Sequence, residues 1–243
     1  MIQKIRFLVA IALVIGLLGC EKELPMYLPL ESTEFSTLDA NGGSWTPILI
    51  ASGADISIPA PASENSPEYL AELAAVESAL VQMTSSDKEA VTYWSDNPTI
   101  RWNEIALELI AKYNLIPGPN DDGSYTLPNP NDPDGPPAFP FAHPPYAVRA
   151  LAYMSVAQYD GLISAWHHKF TYNRPAAFTQ SNAITYAYQD NNIPSYPSEG
   201  AVIAESSRRV LTAMFPLEAE YLQEKADEHL QSILHSGGYV ASD

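Results

Sequence analysis

Cysteine is almost absent from this chain. Cys20 is the only one among 243 residues, so no intrachain disulfide staples the fold. Basic residues are scarce as well: 12 lysines and arginines face 29 acidic residues, leaving a formal net charge of −17. A surface so negative excludes nucleic acid and anionic membranes as partners, since both demand a positive field. It also repels an anionic ligand at long range, so any site for one relies on local cations acting at short distance. Runs of strictly alternating polar and apolar residues are missing, which argues against a sheet, and no internal repeat stands out. The longest apolar run, residues 7–18, is too short to span a bilayer as a mature helix.

What is present at the N-terminus has the form of an export signal. Lys4 and Arg6 precede the apolar run, which ends in Leu17-Leu18-Gly19-Cys20. This ending resembles the bacterial lipoprotein box. The resemblance implies a signal segment over residues 1–20, lipid on Cys20, and an exported protein anchored in the membrane of a bacterial cell envelope. Residues 21–65 are rich in Pro, Ser, Thr and Gly and lack helical periodicity, which predicts an extended tether that wraps across the domain. The Pro and Gly punctuation argues against a strand at residues 45–50.

From Ser66 onward the pattern turns helical. Ser66-Pro67-Glu68 carries an N-cap, a first-turn proline and an acid near the positive end of the dipole. A second helix is expected from about Asp87 to Tyr93 or Trp94, and a third, amphipathic one from Thr99 to Tyr113. Proline, Asn, Asp and Gly crowd residues 117–140, which predicts an exposed loop. Within it, Asn129-Pro-Asn-Asp-Pro-Asp134 lacks the ligand alternation and glycine of a calcium loop and reads as solvated turns. Pro144-Pro145 opens the most strongly patterned helix, with Val148, Leu151, Val156, Tyr159, Leu162 and Ile163 on one face, ending near His168. Helices from Ala201 to Phe215 and from Leu217 to Leu234 follow, the last stopped by Gly237-Gly238. The domain, residues 66–243, is expected to be an all-α bundle.

Three segments near the end suggest oxyanion chemistry. Lys169 and Arg174 offer a point charge and a bidentate fork within a few residues. Pro197-Ser198 feeds a helix whose first amides, at Glu199 and Gly200, face outward as anion donors. Ser232 to Asp243 closes the chain. Together with Trp94, Asn97-Pro98, Trp102 and the helix through Asp160 and Trp166, they resemble the type 2 phosphatidic acid phosphatase superfamily, most closely its vanadium-dependent haloperoxidase-like branch. The resemblance covers roughly Tyr93 to Asp243. It implies a helical bundle of the phosphatase/haloperoxidase type, shortened at its C-terminus, with phosphate or vanadate as the anion.

The departures from that family's motifs are as informative as the matches. Four residues lie between Lys169 and Arg174 where the family has six, and His167 takes the six-residue spacing. Arg174-Pro175 and Pro197-Ser198 are intact. By the resemblance, Gly200 and Tyr239 occupy the positions of the two catalytic histidines, Ile233 that of an arginine, and Asp243 that of the carboxylate orienting the second histidine. Lys169, Arg174, Ser198, Glu199 and Gly200 therefore remain as oxyanion-binding candidates, with no catalytic residue intact and no protein-ligated metal expected. His235, one helical turn before Tyr239, is the only nearby imidazole to stand in. A phenol is a poor replacement, since its pKa near 10 needs strong depression. The implied protein is a catalytically impaired lipoprotein of this lineage, with vanadate a cofactor by resemblance only. The alternatives are an active phosphatase or haloperoxidase, and a surface protein that binds a partner through residues 117–140.

Overall fold

The computed structural model describes residues 39–95, 97–113, 121–123, 144–188 and 193–243, all within one compact unit. The lipoprotein box with Cys20, the first part of the tether and nearly all of the loop at 117–140 lie outside them. Six α-helices occur among the described residues and no strand: α1 (Pro67–Gln82), α2 (Ser85–Ser95), α3 (Pro98–Tyr113), α4 (Pro144–Tyr172), α5 (Glu199–Met214) and α6 (Ala219–His235). None of the described helices is long and apolar enough to cross a membrane.

Local chemistry accounts for the ends. Ser66 caps α1 by accepting the Tyr69 amide, with Pro67 at the first helical position. Thr84 and Asp87 bond one another at the start of α2. Ser198 caps α5 by accepting from the Ala201 amide, and so starts that helix two residues earlier than apolar periodicity alone indicates. At the far end of α4 the helix passes His168 by a full turn. It stops only at Asn173, which adopts φ 51° and donates its amide to the Lys169 carbonyl before Pro175. Lys169 is consequently a helical residue and not a loop residue.

The main core lies between α3, α4, α5 and α6, with α2 closing one side. Trp102, Ala106, Leu109, Ala150, Met154, Ala204, Leu211, Phe215 and Leu222 are buried there. Alanines on α4 and α5 allow the close approach that makes this pair and the α5–α6 pair the largest helix contacts. The core also carries a histidine. His229 on α6 is 2 % exposed, stacks on Trp94 at 4.3 Å and accepts the Trp102 indole N–H on Nδ1 at 3.1 Å. Burial lowers its pKa to about 3, so the ring stays neutral. Tyr146 donates its hydroxyl to the Met214 carbonyl and ties the start of α4 to the end of α5. A smaller apolar cluster of Tyr69, Leu73, Val76, Ala177, Ile184 and Val240 seats α1 over the end of the chain.

Residues 39–61 form a strap along the C-terminal half of α4. Asp160 attaches the strap to α4. Its carboxylate accepts the amides of Ile48, Leu49 and Ile50 at 2.7, 2.6 and 3.2 Å, and these three bonds hold it ionised below the usual carboxylate range against the cost of burial. Ser164 donates to the Gly53 carbonyl, His168 Nε2 lies 2.7 Å from the Ile56 carbonyl, and the hydroxyls of Tyr172 and Tyr196 donate to those of Ile58 and Pro59. A Cβ at Gly43 would lie 2.3 Å from the His167 backbone nitrogen, so only glycine permits this approach.

Candidate oxyanion site

Three elements bring the predicted residues together: the last turn of α4 with Arg174, the N-terminus of α5, and residues 236–243 after α6. Backbone bonds lock them. Ser195 donates its amide to the Arg174 carbonyl, Ser198 to Asp243, Ala177 to Gly238 and Ala187 to Ser236. Lys169, Arg174, Ser198, Glu199, Tyr239 and Asp243 accordingly share one end of the bundle.

Lys169 is fully buried. Its ammonium donates to the Pro194 carbonyl at 2.6 Å and the Ser195 carbonyl at 3.0 Å, and it pairs with Glu199 Oε2 at 2.7 Å. An ammonium has three protons, and these three acceptors use them all. The Tyr239 hydroxyl donates to the same Glu199 oxygen at 3.1 Å, and its ring lies 5.2 Å from the lysine nitrogen. Burial, with the Glu199 charge beside it, pushes the phenol well above its ordinary pKa. That is the direction opposite to a nucleophile.

Arg174 is 3 % exposed and turns one nitrogen to the C-terminal residues: Nη2 donates to Ser242 Oγ at 3.0 Å and pairs with Asp243 Oδ1 at 2.9 Å. Its faces lie 5.0 and 5.3 Å from the rings of Tyr69 and Tyr196, while Nε and Nη1 find no hydrogen-bond partner within the protein. Asp243 is held in turn by Ser195 Oγ at 2.8 Å and by its bond from the Val240 amide at 2.6 Å. Burial raises its pKa, and the Arg174 charge opposes that rise. Asp243 thus pairs with the arginine itself and orients no imidazole.

The remaining predicted positions are apolar or structural. A Cβ on Gly200 would lie 2.7 Å from Ile233 Cδ1, so the isoleucine occupies the space a side chain at 200 would enter. His229 Nε2 is 3.6 Å from that same point and is the nearest imidazole to it. Nothing in the sequence singles out His229, because its spacing on α6 is that of any core position. His235 does not reach Tyr239. The helix ends there, Gly237 turns away at φ 79°, and the imidazole faces α2, 3.8 Å from Asp87 and 2.9 Å from Gln231. No cluster of His, Cys, Asp and Glu capable of holding a metal ion occurs among the described residues.

A cavity of about 30 Å³ adjoins Glu199, Tyr239, Ser195 and Gly238. That is room for about two water molecules. The Glu199 carboxylate already holds the lysine, so a tetrahedral oxyanion meets a competing charge at this position.

The assembly of helices around this site defines a fold class first. That class is an all-α bundle of the vanadium haloperoxidase type. A solved structure described as the first bacterial vanadium-dependent iodoperoxidase superposes with a TM-score of 0.60 at 20 % sequence identity, over 88 % of this chain. The chain spans 55 % of that neighbour's length. No protein-family model and no curated protein matches the sequence. At this level of identity the likeness establishes the fold.

Proposed function

We propose that the protein is an exported lipoprotein whose haloperoxidase-type domain is catalytically impaired, its oxyanion site closed by the protein's own carboxylates. At most it retains residual affinity for phosphate or vanadate. One observation carries this reading: every proton of Lys169 is used internally, one of them on Glu199. Asp243 takes up one nitrogen of Arg174, Nη2, while Nε and Nη1 stay without a hydrogen-bond partner. Glu199 therefore acts as an internal substitute for the ligand, presenting a carboxylate where an oxyanion of phosphate or vanadate type would meet the lysine. Leu17-Leu18-Gly19-Cys20 supports the anchored state, and the net charge of −17 supports exclusion of nucleic acid. The solved neighbour is vanadium-dependent, which makes vanadate the probe of choice.

Orthovanadate titrated calorimetrically into the protein tests the proposal, with phosphatase and iodide-oxidation assays on the same sample. The expected result is weak or no binding and no turnover. Glu199→Gln removes the competing charge and is expected to tighten vanadate binding by roughly tenfold, the equivalent of about 1.4 kcal/mol. Turnover by the unaltered chain overturns the reading. Equal affinity in both proteins refutes the role given to Glu199.

A further inference from the structure

Trp45, Ile48, Leu49 and Ile56 all sit on the outer side of the strap, and all four are exposed, Leu49 to 79 %. Asp55 is the only charged residue between Trp45 and Ile56. Isolated apolar side chains on a surface need no explanation, but four on one short, fixed segment do. Local bonds shape this segment, such as those of Ala51 and Ser52 to Asp55, and a second set leads inward to α4. The amides of residues 48–50 end on Asp160, the Gly53 carbonyl on Ser164, and the Ile56 carbonyl faces His168. The strap thus exposes four apolar side chains, among Thr46, Ser52 and Asp55, while the amides of residues 48–50 are satisfied from beneath.

That combination selects a kind of partner. A protein interface reads hydrogen-bonding groups at about one per 100–200 Å², and the amides of residues 48–50 are turned away from such a partner. A lipid surface asks the reverse: apolar side chains outward and backbone groups satisfied before they leave water. Cys20 precedes Trp45 by 25 residues. A span of 25 residues reaches at most about 80–90 Å, so the strap stays within reach of an anchor at Cys20. We propose that the face bearing Trp45, Ile48, Leu49 and Ile56 docks into a zwitterionic lipid surface and fixes the orientation of the domain on the membrane. This rests on the lipoprotein reading of Cys20. The choice of zwitterionic lipid follows from the charge of −17 and from Asp55 within the patch.

The full chain is produced in bacteria with residues 1–20 present, and mass spectrometry reads whether Cys20 carries lipid. With that thiol blocked, Leu49→Cys supplies a single site for a polarity-sensitive dye, and Val148→Cys an exposed control on α4, about 20 Å along the helix from the strap. Both are reconstituted into phosphatidylcholine vesicles with and without spin-labelled lipid. The expected result is a blue shift and quenching at position 49, neither at 148, and return of the position-49 emission to the solvent value on Ile48→Asp. Identical emission at 49 and 148 overturns docking and leaves the anchor standing. A blue shift without quenching means a second copy or a protein covers the patch, and overturns it as well. An unmodified Cys20 sinks the anchor reading and the proposal with it, and the mass tells this apart from a failure to dock.

Discussion

The two ends of α4 run through different solvents. Its first half lies in a core where Ala150 and Met154 meet Ala204, Leu211 and Phe215. Its second half lies among Asp160, Ser164, His168 and Lys169, all buried, each spent on a backbone carbonyl, a backbone amide or a carboxylate from another segment. The first half is held by area removed from water and the second by completed sets of bonds. An apolar contact that is lost leaves a cavity, whereas an ion pair that is lost leaves a buried charge.

This contrast sets a ranked series of expected effects. Arg174→Ala leaves Asp243 buried without its cation and is expected to destabilise the fold by about 3–5 kcal/mol in denaturant unfolding. Replacing both partners, Arg174→Met with Asp243→Leu, is expected to recover most of that loss, because no charge is then stranded. Leu222→Ala or Leu211→Ala in the apolar half costs about 2–5 kcal/mol, and no single second change nearby restores it. If the paired replacement fails to rescue while an apolar one does, the distinction between the halves is wrong.

A third prediction uses pH. His229 is neutral in the fold with its pKa lowered to about 3, while the unfolded chain takes up a proton near 6.5. The unfolded state therefore binds more protons between these values, so stability is full above 6.5 and falls as pH drops toward 3. The slope from this one group is about 1.4 kcal/mol per pH unit. His229→Gln is expected to flatten the dependence between pH 5 and 6.5, measured as the difference between the two proteins' unfolding curves. The smallest expected effect is at the helix cap: Ser198→Ala costs about 1 kcal/mol through loss of the bond to the Ala201 amide.

The helices are legible in the amino-acid sequence through their periodicity of 3.6, but the buried face of α4 is not: Val148 is exposed and Leu151 and Val156 only half-buried, while Ala150 and Met154 enter the core. Helix starts with Ser-Pro or Pro-Ser are legible too. The polar half is legible only in its list of parts. Lys169, Arg174, Ser198, Glu199, Tyr239 and Asp243 do meet, but that Glu199 occupies the lysine is a matter of angstroms and not of spacing. Asp160 has the look of a surface charge because its partners lie some 110 residues away in a segment with no periodicity of its own. His235 stands one helical turn before Tyr239 in sequence, but Gly237-Gly238 already marks the stop, and the helix ends before that turn is made.

The strap has a mechanical side. It lies at the N-terminal border of the described fold, so a pull transmitted from the N-terminal residues arrives there before it reaches any helix of the bundle. Its attachments succeed one another along α4, from Asp160 through Ser164 and His168 to Tyr172. Bonds arranged in this order take strain one at a time and peel like a seam, each lengthening the slack chain before the next is stressed. The helices are shielded until the last stitch opens.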